Sequence, residues 1–361
     1  MTREQIFNFS AGPSAMPESV LKKAGEEILN YRGSGLSVME MSHRGSVFQE
    51  IFDSAREKLR RAMNIPDSHE ILFLQGGATL QFAAIAMNLM DGGGADYALT
   101  GNFSAKAAKE AAKYGPVNTA FDGAAEGYRR IPRQEELKLS PGARYFHYCG
   151  NNTAYGTSWS YVPESGAPLV CDMSSEILSK PVDVGRFGLI YAGAQKNMAP
   201  AGLTVLILRR ELAGRELPIT PQVMSYKELL SSGSMLNTPP CWCIYMLGLM
   251  LDWLEAQGGV EAMAALKAER AGLVYDFLDN SALFRAGAEP GSRSDMNIVF
   301  STGSKELDAQ FVKGAERRGL LSLKGHKAAG GLRASLYNAM PIEGARALVN
   351  YMKEFERETH V

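Results

Sequence analysis

Apolar and polar positions follow two rhythms along this chain. Short apolar runs rich in Val, Ile, Leu and Tyr occur at 71–74, 96–99, 145–149, 169–171, 189–191 and 203–208, and read as strands. Between the early ones lie longer helical patterns, at 79–90, which is apolar nearly all round, and at 105–114. Strands alternating with helices predict an α/β domain around a mainly parallel sheet buried on both faces. Two long helices are expected next, over 242–256 and 259–278, with Gly258 and Gly259 breaking them. That break is the expected domain boundary. Beyond residue 280 the pattern changes to a strand at 297–300, a helix near 307–318, a strand at 332–336 and a last helix over 342–358. The expected organisation is a large domain over 16–258, a smaller α+β domain over 259–361, and an N-terminal segment, 1–15, that has no core of its own and packs against the smaller domain.

Composition narrows this picture. The chain has 361 residues, 45% hydrophobic and 21% charged, which is ordinary for a globular protein with ample core. A formal net charge of -1 gives no basic excess to attract nucleic acid. No run approaches the roughly 18 apolar residues of a membrane span; the stretch at 243–253 is too short and is interrupted by Asp252. The first residues carry charge and lack the apolar stretch of a signal peptide. Four scattered cysteines, Cys149, Cys171, Cys241 and Cys243, read as reduced thiols rather than a disulfide framework or a zinc site. The expected location is cytoplasmic, with no metal.

Several strand ends carry residues with chemical potential, each of which also has a plain structural reading. Lys196 follows a strand and the small residues of YAGAQK (191–196). A lysine with room beside it can form a Schiff base with a carbonyl, or can simply be solvated at a strand end. Asp172 ends the apolar run of LVCDMSS (169–175). A carboxylate there points into the crevice where α/β sheets bind ligands and could keep a pyridine nitrogen protonated, or it could cap the next helix. QGGAT (75–79) places glycines after a strand and before a helix, an arrangement that binds anions but is also a common turn. Phe103 in TGNFS (100–104) could stack on a planar ring or belong to the core. Thr153 in CGNNT (149–153) could hold a phenolic oxygen or serve its own loop.

Taken together, an anion loop, an aromatic, an Asp and a Lys occur in order at successive strand ends. With FNFSAGP (7–13), MSHRG (41–45), YAGAQKNMAP (191–200), GSMLNTPP (233–240), KGH (324–326) and GGLRASLYNAMP (330–341), the chain resembles the phosphoserine aminotransferases, class V members of the fold-type-I pyridoxal-phosphate transaminases. The likeness runs nearly end to end. It implies a large domain with a mainly parallel seven-stranded sheet. It implies pyridoxal 5'-phosphate bonded to Lys196, which also moves the proton during turnover, with Asp172 on the ring nitrogen, Thr153 on the phenolic oxygen, and the phosphate on Ala78, Thr79 and Gln195. Asn237 and Thr238 match residues that reach this phosphate from a neighbouring subunit, so a homodimer with shared sites is implied. Arg333 matches the arginine of the substrate α-carboxylate. Arg44, His326 and Lys327, with His43 nearby, fall in segments used around the substrate phosphate; arginine suits both anions because its guanidinium is planar and bidentate.

Two positions depart from the family pattern. Phe103, with less stacking area, stands where many members have Trp, and Lys327, which keeps the charge but lacks the guanidinium fork, stands where Arg is frequent. The implied reaction is ping-pong transamination in serine synthesis: glutamate gives its amino group, and 3-phosphohydroxypyruvate becomes O-phosphoserine. Some members also accept the phosphorylated hydroxythreonine of pyridoxine synthesis. Other readings fit less well. A cysteine desulfurase needs a late, mobile cysteine, whereas Cys243 heads an apolar helix. An alanine–glyoxylate enzyme would leave Arg44, His326 and Lys327 without a task. A non-catalytic regulator would need neither Lys196 nor Asp172, and fold alone does not prove catalysis.

Overall fold

A computed structural model describes residues 2–359. Its largest feature is a seven-stranded sheet with the spatial order His69–Leu74, Thr204–Arg209, Leu189–Gly193, Leu169–Asp172, Phe146–Cys149, Ala95–Leu99, Val117–Asp122. Thr204–Arg209 is the one antiparallel strand in it; its neighbours on both sides run the other way, parallel with the rest. The expected fold class and the seven strands are therefore present. The central strands are apolar on both faces because both faces are covered. Ile71, Phe73, Ile190, Ala192, Val205 and Ile207 enter one core, together with Phe48, Ile51, Phe52 and Leu59 of helix Ser46–Ala62 and Ile244, Leu247 and Leu251 of helix Cys241–Ala256. Leu72, Leu74, Leu189, Tyr191, Leu206 and Leu208 enter the other, against Phe82, Ile85 and Leu89 of helix Gly77–Leu89 and Ala107 and Ala111 of helix Asn102–Ala111.

A separate core lies in the C-terminal part. Strands Arg285–Ala286, Asn297–Ser301 and Leu332–Ser335 pair antiparallel, and helices Lys305–Arg317 and Ile342–Glu358 contribute to the apolar cluster with them. Phe311 is fully buried there, with the rings of Phe284, Phe300, Tyr351 and Phe355 centred 4.7–6.1 Å away. Phe7–Asn8 pairs parallel with Leu320–Leu321, and Phe9 is buried in this core. Helix Gly259–Asn280 begins at the expected break. Its first turns supply Val260 and Met263 to the large core and its later turns supply Ala271, Val274 and Leu278 to the small one. The same helix carries Arg270, fully buried, whose Nη1 donates to the carbonyls of Tyr337, Asn338 and Met340 and so ties the helix to the turn before the last helix.

The elements that the sequence pattern does not predict include helices Glu18–Glu27 and Ser46–Ala62 and the edge strand Val117–Asp122. The edge strand escapes because only Ala120 is buried in it, so it lacks the apolar run that marks a central strand. Helix Ser46–Ala62 did carry a signal, with Phe48, Ile51, Phe52, Ala55 and Leu59 on one face. No helix among the described residues is long and apolar enough to cross a membrane.

Under the strand ends the second core contains a polar layer. His147 shares a 2.9 Å hydrogen bond between Nε2 and the Tyr191 hydroxyl and stacks on Tyr97 at 4.7 Å, and Tyr97 in turn meets the Tyr145 hydroxyl at 2.7 Å. Burial pushes His147 down to about 3, well below the ordinary histidine value of about 6.5. Below pH 6.5 the unfolded chain gains a proton that the folded chain refuses, so stability falls as pH drops from 6.5 towards 3, by about 1.4 kcal/mol per pH unit, and is unaffected above that window. Denaturant titrations at pH 7 and pH 5 should show the parent protein losing about 2 kcal/mol more than His147→Gln between the two; parallel losses would mean that His147 is protonated when folded.

Candidate active site

Lys196 lies in the connection between strands Leu189–Gly193 and Thr204–Arg209, which are antiparallel neighbours. The connection is pinned at its base, where the Ala194 N–H donates to the Leu203 carbonyl at 3.0 Å. It is pinned again from the N-terminal segment, where the Ser14 hydroxyl donates to the Lys196 carbonyl. Gly12 passes so close that a Cβ there, on a backbone at φ 130°, would stand 3.2 Å from Lys196 Cγ. The side chain is held as firmly as the backbone. Lys196 Nζ donates to Thr153 Oγ1 and to Ser175 Oγ, both at 2.8 Å, and those two oxygens are 2.5 Å apart. The same Nζ stands 5.7 Å from the centre of the Phe103 ring. The sequence reading included Thr153 and Phe103 and missed Ser175, although LVCDMSS was the segment in view.

Asp172 ends the neighbouring strand and is 6% exposed. Parallel register sets it opposite Tyr191 on one side and Cys149 on the other. Its Oδ1 accepts the Ser174 N–H at 2.9 Å. Ser174 Oγ accepts the Gly193 N–H at 3.0 Å, a bond that fastens the Asp172 turn to the strand leading to Lys196. A buried carboxylate beside a charged or protonated partner is stable, and alone it is costly; the site asks for a cationic or N–H-bearing group near Asp172. Cys149, whose thiol burial pushes up, offers no charge to that end.

Helix Gly77–Leu89 opens without a side-chain cap. Gly76 precedes it at φ 89°, and a Cβ there would fall 2.4 Å from Leu80 Cδ2, so the turn requires glycine. Its first N–H groups, at Gly77, Ala78 and Thr79, are free of intrahelical partners and carry the positive end of the helix dipole, which suits a phosphate. Ala78 is half-buried and Thr79 exposed. Gln195 is half-buried, with its amide folded back over Gly193, where a Cβ would be 2.6 Å from Oε1. Lysine, acid, stacking ring, hydroxyl and anion turn therefore fit a phosphorylated pyridine aldehyde.

The small unit adds cations. Arg333, on strand Leu332–Ser335, donates from Nη1 to the Thr153 carbonyl at 3.2 Å. Its Nε is buried and has no partner among the described residues, and burial lowers its pKa. An arginine with a dry, unused donor beside a lysine pocket suits a carboxylate. The His326 ring lies 6.3 Å from that of Phe103. Its pKa is lowered by burial first and then by Arg333 and Lys106, so His326 sits in a field of positive charge. Lys327 is exposed in the same loop. Lys106, absent from the sequence reading, adds its Nζ at 5.9 Å from the Phe103 ring. The chain does not tie the remaining expected residues to Lys196. Arg44 is exposed, and its N–H bonds locally to Ser42 Oγ at 3.4 Å. His43 keeps a buried Nε2 without a partner among the described residues. Asn237 and Thr238 are exposed, with Asn237 Nδ2 donating to Gln75 Oε1 at 3.0 Å, beside the anion turn.

Comparison with known proteins identifies the family. Residues 6–348 match the family model described as aminotransferase class-V. The phosphoserine aminotransferase of Aromatoleum aromaticum is 51% identical, over 98% of this chain and 99% of its own length. That of Bacillus cereus is 49% identical over the same shares. Among solved structures, the phosphoserine aminotransferase of Bacillus circulans subsp. alkalophilus superposes with a TM-score of 0.96 at 42% identity, covering 99% of both chains. The pyridoxal-phosphate-bound enzyme of Trichomonas vaginalis superposes with a TM-score of 0.93 at 40% identity, covering 96% of this chain and 99% of the other. The chain belongs to the class-V aminotransferases, in the family of the phosphoserine aminotransferases.

Proposed function

We propose that this chain transfers the amino group of glutamate to 3-phosphohydroxypyruvate, giving 2-oxoglutarate and O-phosphoserine, with pyridoxal 5'-phosphate held on Lys196. The observation that carries the reading is the group at the adjoining strand ends: Lys196 Nζ between Thr153 and Ser175, Asp172 buried on the next strand, and Arg333 Nε without a partner among the described residues. When bound, pyridoxal phosphate supplies a conjugated ring that accepts the electron pair released at the substrate's Cα. Each role then falls to a residue of this chain. Asp172 keeps a proton on the ring nitrogen, which strengthens the electron sink. Phe103 covers a face of the ring, Thr153 donates to its phenolic oxygen, and Ala78, Thr79 and Gln195 receive its phosphate. Lys196 Nζ would be the group that takes the Cα proton and delivers it to the cofactor's C4′ carbon, across the nitrogen that joins the two. Arg333 holds the substrate α-carboxylate. His326, Lys327 and Arg44 hold the phosphate that distinguishes phosphoserine from alanine.

The same reading includes a homodimer with shared sites and a cytoplasmic enzyme of two domains, divided at 258/259. Support for the dimer comes from the surface. Leu29, Leu36, Met39 and Val47 are exposed apolar residues flanking the segment of His43 and Arg44. Val223 and Leu80, also exposed, line one cleft with Asn237. Exposed apolar residues gathered around functional side chains mark surfaces that another chain covers.

Absorbance spectroscopy tests the reaction. The protein with pyridoxal phosphate should show a visible band that glutamate removes and 3-phosphohydroxypyruvate, but not pyruvate, restores. Lys196→Ala should abolish both the band and nearly all turnover; recovery with pyruvate would overturn the phosphate assignment. Asp172→Asn should remain folded and turn over at least a hundredfold more slowly, in the range expected for a lost proton-holding group, and a loss below threefold would remove Asp172 from the chemistry. Arg44→Ala should raise KM for the phosphorylated substrate by tenfold or more, about the worth of one charged hydrogen bond, and leave KM for glutamate nearly unchanged. Equal effects on the two would make Arg44 a structural or cofactor residue.

A further inference from the structure

We propose that the Ser175 hydroxyl is the dock of the free Lys196 amine: it holds Nζ in line for the cofactor whenever that nitrogen has no covalent bond, and it turns the Thr153 proton toward the ligand. The proposal rests on Lys196 being the cofactor lysine. Ser175 follows Asp172 by three positions and is 1% exposed; Thr153 is 5% exposed. Of the adjacent serines, Ser174 already serves the Gly193 N–H, so Ser175 is the one whose oxygen meets Nζ.

Counting protons gives the roles. A lysine amine has at least two N–H donors, which match the two contacts of Nζ, and each hydroxyl has one proton and two lone pairs. With Nζ donating to both oxygens, the 2.8 Å, 2.8 Å and 2.5 Å contacts leave one O–O contact to be filled by a single hydroxyl proton. The other hydroxyl proton must point out of the triangle. A buried donor needs an acceptor, and Thr153 is the member placed to hold the cofactor's phenolic oxygen. The consistent assignment has Ser175 accepting from Nζ and donating to Thr153 Oγ1, and Thr153 donating to the ligand. Ser175 thus orients two working groups at once. A lysine side chain is a strongly hydrated charge on a flexible stem. Without Ser175, Lys196 keeps only a hydroxyl that the ligand also claims.

The test uses protein freed of cofactor, as parent, Ser175→Ala and Ser175→Thr. The first readout is the rate at which the visible band grows after pyridoxal phosphate is added. The second is the rate at which acetic anhydride labels Lys196, followed by peptide mass. Ser175→Ala should slow capture of the cofactor by on the order of tenfold, the loss of one hydrogen bond to a charged group, and should speed labelling, because an undocked amine is free to meet the reagent. Ser175→Thr, which keeps a hydroxyl, should move both rates back toward the parent. The opposite directions matter, since general loosening of the pocket would move both rates together and would overturn the dock. Rates within twofold of the parent for Ser175→Ala would also overturn it. Absence of the band in the parent itself would instead overturn the Lys196 assignment, and with it this role.

Discussion

The register between strands Leu169–Asp172 and Leu189–Gly193 is the constraint on which the site depends. It sets Asp172 opposite Tyr191, and from there the chain needs only Ala192, Gly193 and a short connection to deliver Lys196. Side chains alternate along a strand, so a slip of one residue would send Asp172 to the opposite face and exchange the two cores. Two features fix the register. Both faces of the sheet are filled, with Cys171 and Ile190 in one core and Val170 and Tyr191 in the other. The Ser174 hydroxyl then locks the turn after Asp172 to the backbone of Gly193. Asp172 and Lys196 are thus positioned by burial of their neighbours rather than by a direct bond between them.

The small unit is built to reach into that arrangement. Arg333 touches the Thr153 carbonyl, so the proposed carboxylate donor is hung on the loop that holds the proposed phenolic oxygen. Two contacts steady this junction from behind. The Asn338 N–H donates to Asn197 Oδ1, next to Lys196, and Asn338 Nδ2 donates to the Leu178 carbonyl. Arg270 gathers the carbonyls on either side of Asn338 from within the core. Only Nη1 of this buried arginine is partnered among the described residues, while Nε and Nη2 are not, so its burial is costly. Its use here is to fix the turn through which the small unit grips the Lys196 connection.

Much of this was legible in the sequence, for physical reasons that differ from place to place. The central strands are apolar on both faces and short, so they stand out as runs; the last helix, Ile342–Glu358, has the bounds its amphipathic period gives. Lys196, Asp172 and Phe103 were legible because each follows such a run at the end where α/β sheets bind ligands. Val117–Asp122 was not, because an edge strand with one buried residue looks like a polar loop. Ser175 and Lys106 were missed for another reason. Serine is common after strands and lysine on helix surfaces, and only the three-dimensional approach to Lys196 Nζ or to Phe103 separates these two from ordinary ones.

The residues that the single chain leaves apart carry their own argument. Arg44, Asn237 and Thr238 are exposed, and none is bonded to the Lys196 group. Singly exposed apolar residues are normal on a protein surface, so what bears on a dimer is their recurrence near these positions. Met39 is 57% exposed and Leu29 82% exposed near Arg44 in the chain, while Val223 is 55% exposed in the cleft that Asn237 lines. Leaving such side chains in water forfeits on the order of 1.5–3 kcal/mol for each one that burial would recover. The proposed dimer removes both difficulties in one step: it covers the apolar residues and gives the polar ones among them a second chain's site to complete. On that reading the specificity for a phosphorylated substrate is assembled between subunits, whereas the lysine chemistry belongs to one chain.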